Sequence, residues 1–224
     1  MEEIMKQIEP PLIRPATAED ADRIAYLAYL AGRSQVEVSI FDLMFPGPYG
    51  PTRERLSEMA RLLNTETRSW FNHSYHTVAE VEGVVAASLS AFTKKEGRVG
   101  KLLGAFKEIG WTDDDLSAMG QRMQPYLRVE LPVPEDAWII ESVGCDERYR
   151  RRGLISALLD SAVDAGLQSG CQFITLNVFI GNVPAIGAYQ KAGLKIIGEK
   201  RDPEFARVFD CPGMYQMALQ PPDE

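Results

Sequence analysis

The C-terminal half of this chain alternates strand, helix, strand, helix and strand, and the first strand-to-helix junction carries an unusual charge cluster. A strand-like run over residues 137–145 leads into Arg148-Tyr149-Arg150-Arg151-Arg152, and Gly153 then opens an amphipathic helix. That helix places Leu154, Ile155, Leu158, Leu159, Ala162 and Val163 on one face, with Ser156, Asp160, Ser161 and Asp164 opposite. A buried strand at 173–179 precedes Gly181-Asn182-Val183-Pro184. There Asn182 can cap a second helix whose first turn tolerates Pro184 and whose end is Gly193. Residues 194–199 and 214–219 read as two last strands. The alternation argues for an α/β fold.

The junction suits phosphate. A helix N-terminus offers unpaired N–H groups and partial positive charge, and a glycine there lets a ligand approach the backbone closely. The remainder of the chain is acidic: 24 basic against 32 acidic residues give a net charge of −8. Such a surface repels nucleic acid and anionic membranes, so the cluster fits a small ligand better than a polyanion track. A solvated cationic face is the competing reading. The chain contains no glycine-rich loop ending in Lys-Ser or Lys-Thr of the kind that holds nucleotide phosphates.

The N-terminal half is organised by caps and turns. After a short extended run ending at Thr17, Thr17-Ala18-Glu19-Asp20 reads as a capping box, continued as a helix by Ala21, Ile24, Ala25, Leu27 and Ala28. Phe45-Pro46-Gly47-Pro48-Tyr49-Gly50-Pro51 must be a loop, followed by a helix over 53–63. Strands at 77–81 and 84–92 join through Glu82-Gly83 as a hairpin. Residues 93–136 form a long insertion with short helices near 102–108 and 114–123, closed by Pro132 and Pro134. At 224 residues the whole is expected to be one domain carrying that insertion.

With these blocks in place, the chain resembles the GNAT family of acyl-CoA-dependent N-acyltransferases. Arg150-Arg151-Arg152-Gly153-Leu154-Ile155 is similar to the family's signature between the fourth core strand and the next helix. Ile13-Arg14-Pro15-Ala16-Thr17 with Asp20 resembles its first strand and helix, and Asn182-Val183-Pro184-Ala185, Tyr189 and Gly193-Leu194 its second cofactor motif. The blocks occur in the family's order across most of 12–95 and 137–219. Ile155 stands where a small residue is usual, and Glu147 where proline is common. The resemblance implies a mixed α/β acyltransferase fold, with a central, mostly antiparallel sheet splayed at a parallel strand pair and flanked by helices. It implies acetyl-CoA as acyl donor, held through its diphosphate by Arg150, Arg151, Arg152, Gly153, Leu154, Ile155 and Ser156. The pantetheine arm would pair with Val143, Gly144 and Cys145, and Asn182 and Tyr189 would complete the cofactor site. It further implies that Tyr189 protonates the departing thiolate. A core tyrosine is the alternative.

Glu141 interrupts the apolar strand Trp138-Ile139-Ile140-Glu141-Ser142-Val143. A carboxylate in mid-strand is costly unless it faces a wet cleft or a partner. By strand alternation it shares a face with Ile139, Val143 and Cys145, and it is the candidate general base, with substrate binding or a salt bridge as competing roles. His73 and His76 lack companions for a metal set, and no metal is expected. Cys145 has no base beside it in the sequence and reads as a buried structural thiol.

The acceptor is expected to be an amine whose identity the sequence leaves open. A CoA-binding sensor without transferase activity is the rival function. Neither nucleic acid nor membrane is expected as a partner. Three cysteines without metal-type spacing, an acidic start at Met1, Glu2 and Glu3, and the lack of a long apolar run suggest a reducing, cytoplasmic setting. Oligomeric state is open, a homodimer being one option.

Overall fold

The structure, a computed structural model, describes residues 10–219. Met1, Glu2 and Glu3 lie outside the described residues. The strands are β1 (Leu12–Pro15), β2 (His76–Val81), β3 (Val84–Thr93), β4 (Trp138–Cys145), β5 (Ile174–Phe179), β6 (Lys195–Arg201) and β7 (Gly213–Leu219). They form one sheet of seven strands in the order β1-β2-β3-β4-β5-β7-β6. Every neighbouring pair is antiparallel except β4–β5.

Local chemistry explains most of the elements. Asp20 accepts from the Thr17 N–H (2.8 Å) and hydroxyl (3.1 Å) at the entry to α1 (Ala21–Arg33). Glu82 and Gly83 both have positive φ, 51° and 77°, the pair of left-handed residues that a tight hairpin between β2 and β3 requires. Thr52 caps α3 (Arg53–Leu63), and Asn182 caps α8 (Val183–Lys191) by accepting from the Ala185 N–H at 3.2 Å. The Pro/Gly segment after α2 (Ile40–Met44) is a loop, organised by the buried pair Arg55–Asp42 at 2.9 Å.

Helices cover both faces. On one, α7 (Leu154–Gln168) and α8 pack Leu154, Leu158, Leu159, Ala162 and Tyr189 against Ala87, Leu89, Ile140 and Leu176. On the other, α1 and α3 build a larger core that also takes in the insertion. The insertion forms α4 (Val99–Glu108), α5 (Asp113–Arg122) and α6 (Gln124–Leu127), and it buries Leu102, Phe106, Met119 and Met123 in that core. The helix α9 (Pro203–Phe209), between β6 and β7, was not expected from the pattern. Its start is marked by Asp202, whose carboxylate accepts from the Glu204 and Phe205 N–H groups at 2.8 and 3.1 Å.

One expectation about β4 fails. Ser142 has φ 52°, and the β3–β4 register slips between Ser88 and Ser90. This bulge adds a residue to β4 and reverses the alternation beyond it. Trp138, Ile140, Val143 and Cys145 therefore pack towards α7 and α8. Glu141 pairs with Ser90, shares its face with Ile139 and Gly144, and points to the α1 side instead of lying with Val143 and Cys145.

Candidate active site

The parallel pair opens early. β4 and β5 are bridged only at Trp138–Ile174 and Ile139–Thr175, so the rest of β4 parts from its neighbour. The bulge lies within the parted stretch and turns backbone away from the regular ladder. Gly144 sits where α1 crosses: a Cβ there would collide with the Leu27 carbonyl, so only glycine lets helix and strand approach this closely.

At the end of β4 the Asp146 side chain accepts from the Arg148 N–H at 3.0 Å and caps a single 3-10 turn, Glu147–Tyr149. The chain then passes through Arg151 at φ 63° and Gly153 at φ 78° before α7 begins. A left-handed arginine costs about 1–2 kcal/mol, so the turn is held against an intrinsic preference. The first helical bond runs from the Ala157 N–H to the Gly153 carbonyl (3.1 Å), which leaves the N–H groups of Leu154, Ile155 and Ser156 at the open end of α7. A Cβ at Gly153 would meet no protein atom within 4 Å, so the space beside it is free for a ligand. Arg150, Arg151 and Arg152 are exposed around it, with Arg152 lying over the Tyr149 ring at 5.2 Å. The donor set fits a diphosphate: unpaired N–H groups, helix-end charge and guanidinium groups that can each hold two oxygens. Arg148, which stands outside the six-residue signature, is instead bound to Asp146.

On the far side of the sheet Glu141 is exposed at its surface, with protein packed around it. Loss of solvation and the nearby Glu130 carboxylate push it up to about 7. Water contact limits the first effect; both act upward. Burial also pushes Glu130 up, against the pull of Lys200. Tyr126 belongs to the same group: burial pushes its phenol up, and Glu141 and Glu130 add to that. Its ring lies 6.4 Å from those of Phe205 and Phe209. Sequence reasoning missed Tyr126 and Glu130. The only signal was their place in the insertion, where no motif marks them.

Other expected residues are found in varied settings. Tyr189 is 7% exposed within the α7–α8 core, burial pushes its phenol above the usual range, and its hydroxyl makes no hydrogen bond to the described residues. The Asn182 side chain is engaged at both ends, capping α8 through its oxygen and donating through Nδ2 to Ser34 Oγ (2.6 Å). It thus joins α8 to the end of α1. The half-buried Cys145 thiol donates to the Asp146 carbonyl at 3.5 Å, and burial pushes it up, away from thiolate chemistry. His76 is buried, and desolvation lowers it to about 3, while His73 Nδ1 lies 3.0 Å from the Leu63 carbonyl. Two surface hollows, one around Asp22, Arg61 and Asn64 and one along α7 at Ala157 and Ser161, are separate from this cleft.

A sequence profile of the acetyltransferase (GNAT) family matches residues 39–194. The chain belongs to this family. Its fold is shared by solved acetyltransferase structures. A crystal structure of an acetyltransferase is 23% identical with a TM-score of 0.65, covering 93% of this chain and 98% of its own. An N-acetyltransferase from Staphylococcus aureus is 20% identical with a TM-score of 0.66, covering 93% and 100%. A ribosomal-protein-alanine N-acetyltransferase from Brucella melitensis is 14% identical with a TM-score of 0.54, covering 92% and 98%. No curated protein matches in sequence. Among the described residues, no helix is long and apolar enough to cross a membrane.

Proposed function

We propose that the chain is an N-acetyltransferase that uses acetyl-CoA as donor and a primary amine as acceptor. One observation carries this reading: the left-handed turn at Arg151–Gly153 opens onto the unpaired N–H groups of α7 where β4 parts from β5. Bound acetyl-CoA would supply the thioester whose acetyl group passes to the amine nitrogen as the carbon–sulfur bond breaks.

The protein's own groups divide the remaining work. The N–H groups of Leu154, Ile155 and Ser156, with Arg150, Arg151 and Arg152, hold the diphosphate, and Gly153 gives it access. The parted residues Val143, Gly144 and Cys145 offer backbone to the pantetheine arm, and fixed N–H donors beside a developing oxyanion are worth a few kcal/mol. Glu141, raised to about 7, takes the ammonium proton at a carboxylate oxygen, which frees the nitrogen lone pair. The Tyr189 phenol, kept protonated by burial, holds the proton that a departing thiolate needs. Asn182 supports the site through the α8 cap and Ser34.

Calorimetry with CoA and thiol release from acetyl-CoA across an amine panel test the reading. Micromolar binding with turnover on at least one amine supports it. Binding with no turnover on any amine would instead identify a CoA sensor, and no binding at all would remove the basis for both.

A further inference from the structure

We propose that Asp146 is a positioning residue for the phosphate turn, acting through the two arginines it grips. The inference rests on the reading of that turn as the diphosphate site. Asp146 is 3% exposed and follows directly on β4. Its N–H donates to the Ala86 carbonyl at 2.9 Å, which ties the end of β4 to β3 where β5 gives no support. One carboxylate oxygen accepts from the Arg148 N–H (3.0 Å) and Nε (3.1 Å), the other from Arg148 Nη2 (2.8 Å) and from Arg23 Nη2. Arg23 comes from α1, donates through Nε to the Val85 carbonyl at 2.6 Å, and lies over the Tyr26 ring at 5.2 Å. A single buried carboxylate thus joins β3, β4, α1 and the turn.

Besides the backbone bonds from the Tyr149 N–H to the Asp146 carbonyl (2.9 Å) and from the Arg150 N–H to the Glu147 carbonyl (3.3 Å), the turn has few other holds. Arg150 meets Glu147 at 3.4 Å with both side chains largely exposed, and Arg152 rests on Tyr149. Exposed pairs of that kind contribute little, and the Arg148 guanidinium is itself largely exposed; the firmer holds are the Arg148 N–H and the part-buried Arg23 on the buried Asp146 carboxylate. Among side chains, the left-handed backbone at Arg151 and Gly153 is therefore fixed chiefly at Asp146, four residues upstream of Arg150, the first of the three arginines of the signature. Asp146 also offsets the Arg148 charge, so Arg150, Arg151 and Arg152 are the guanidinium groups left to face phosphate.

Asp146→Asn and Arg23→Gln separate geometry from charge, because they change local charge in opposite directions. Electrostatics alone makes the first tighten CoA binding and the second weaken it. Positioning makes both weaken it, by about tenfold in Kd for CoA and in KM for acetyl-CoA, with kcat at saturating donor within about threefold of the parent. That loss persists at about 0.5 M salt, where screening removes a purely electrostatic effect, so Arg23→Gln alone remains decisive if Asp146→Asn does not fold. Asp42→Asn, which breaks a buried pair elsewhere, serves as the stability reference and is expected to lower Tm while leaving the acetyl-CoA KM unchanged. An equal rise in that variant, or CoA binding by Asp146→Asn as tight as the parent's, overturns the positioning role. If the parent itself binds no CoA, the function reading fails first.

Discussion

At Glu141, loss of solvation and the Glu130 charge act in the same direction, and the upward shift to about 7 sets the pH signature that the proposed base would show. A base must be ionised, so kcat/KM is expected to fall about tenfold per pH unit below about 7. Glu130→Gln removes one of the two upward pushes and moves that limb to lower pH. Glu141→Gln is expected to reduce kcat by about 10²–10⁴-fold with CoA affinity intact, as measured by thiol release and calorimetry. A profile flat through pH 7 would contradict the assignment. For Tyr189, removal of a hydroxyl without a hydrogen-bond partner leaves packing undisturbed. Tyr189→Phe should therefore keep its Tm and CoA affinity while kcat drops by about 10²-fold or more. Equal turnover would make it a core residue only. The misfit of Glu141 in an apolar strand was readable from the residue order. Its neighbours Tyr126 and Glu130 were not, because they arrive from a segment that shares no pattern with the site.

Elements governed by contacts within a few residues were legible almost to their ends. The Thr17–Asp20 box, the Glu82–Gly83 hairpin, the 53–63 helix and the Asn182 cap all follow from side chains bonding to nearby backbone. The α9 helix carried the same kind of signal, Asp202 followed by Pro203, between the two last strands. The β4 bulge carried none, since it depends on how Ser88, Leu89 and Ser90 of β3 register against it. Gly144 belongs to this scale because it decides how near α1 lies to β4. Gly144→Ala is expected to destabilise by about 1–3 kcal/mol or more, since its Cβ would meet backbone with no rotamer to yield. Urea denaturation checks this, and an unchanged midpoint would show that α1 can move aside.

Across the whole molecule, ion pairs connect segments distant in sequence. Arg14 of β1 binds Asp20 at 2.8 Å and Glu80 of β2 at 2.9 Å. The Arg14 hydrogen bonds, against a desolvation effect, lower Asp20 from 3.8 to about 2. A depressed carboxylate adds stability that is fully present above its unfolded pKa and lost as pH falls through the folded one. The contribution of Asp20 should thus be complete above about pH 5 and vanish between about 4 and 2. With solvent screening near the surface it is on the order of 1 kcal/mol. Comparison of Asp20→Asn with the parent by denaturation across pH checks this: the gap should close on acidification, and a constant gap would refute it.

The order of residues by itself determined the alternation of elements, the caps and hairpin, the arginine-rich turn before α7 and the family they resemble. Each depends on periodicity or on bonds spanning a few positions, which a linear chain displays directly. Only the tertiary structure decided that Glu141 faces α1 and not the side of Val143 and Cys145. It also decided which carboxylate raises its pKa and which arginine is held back by Asp146. The physical reason is that strand register and electrostatic proximity arise between residues tens of positions apart. A one-residue bulge reverses every face beyond it, and nothing local in β4 announces that slip.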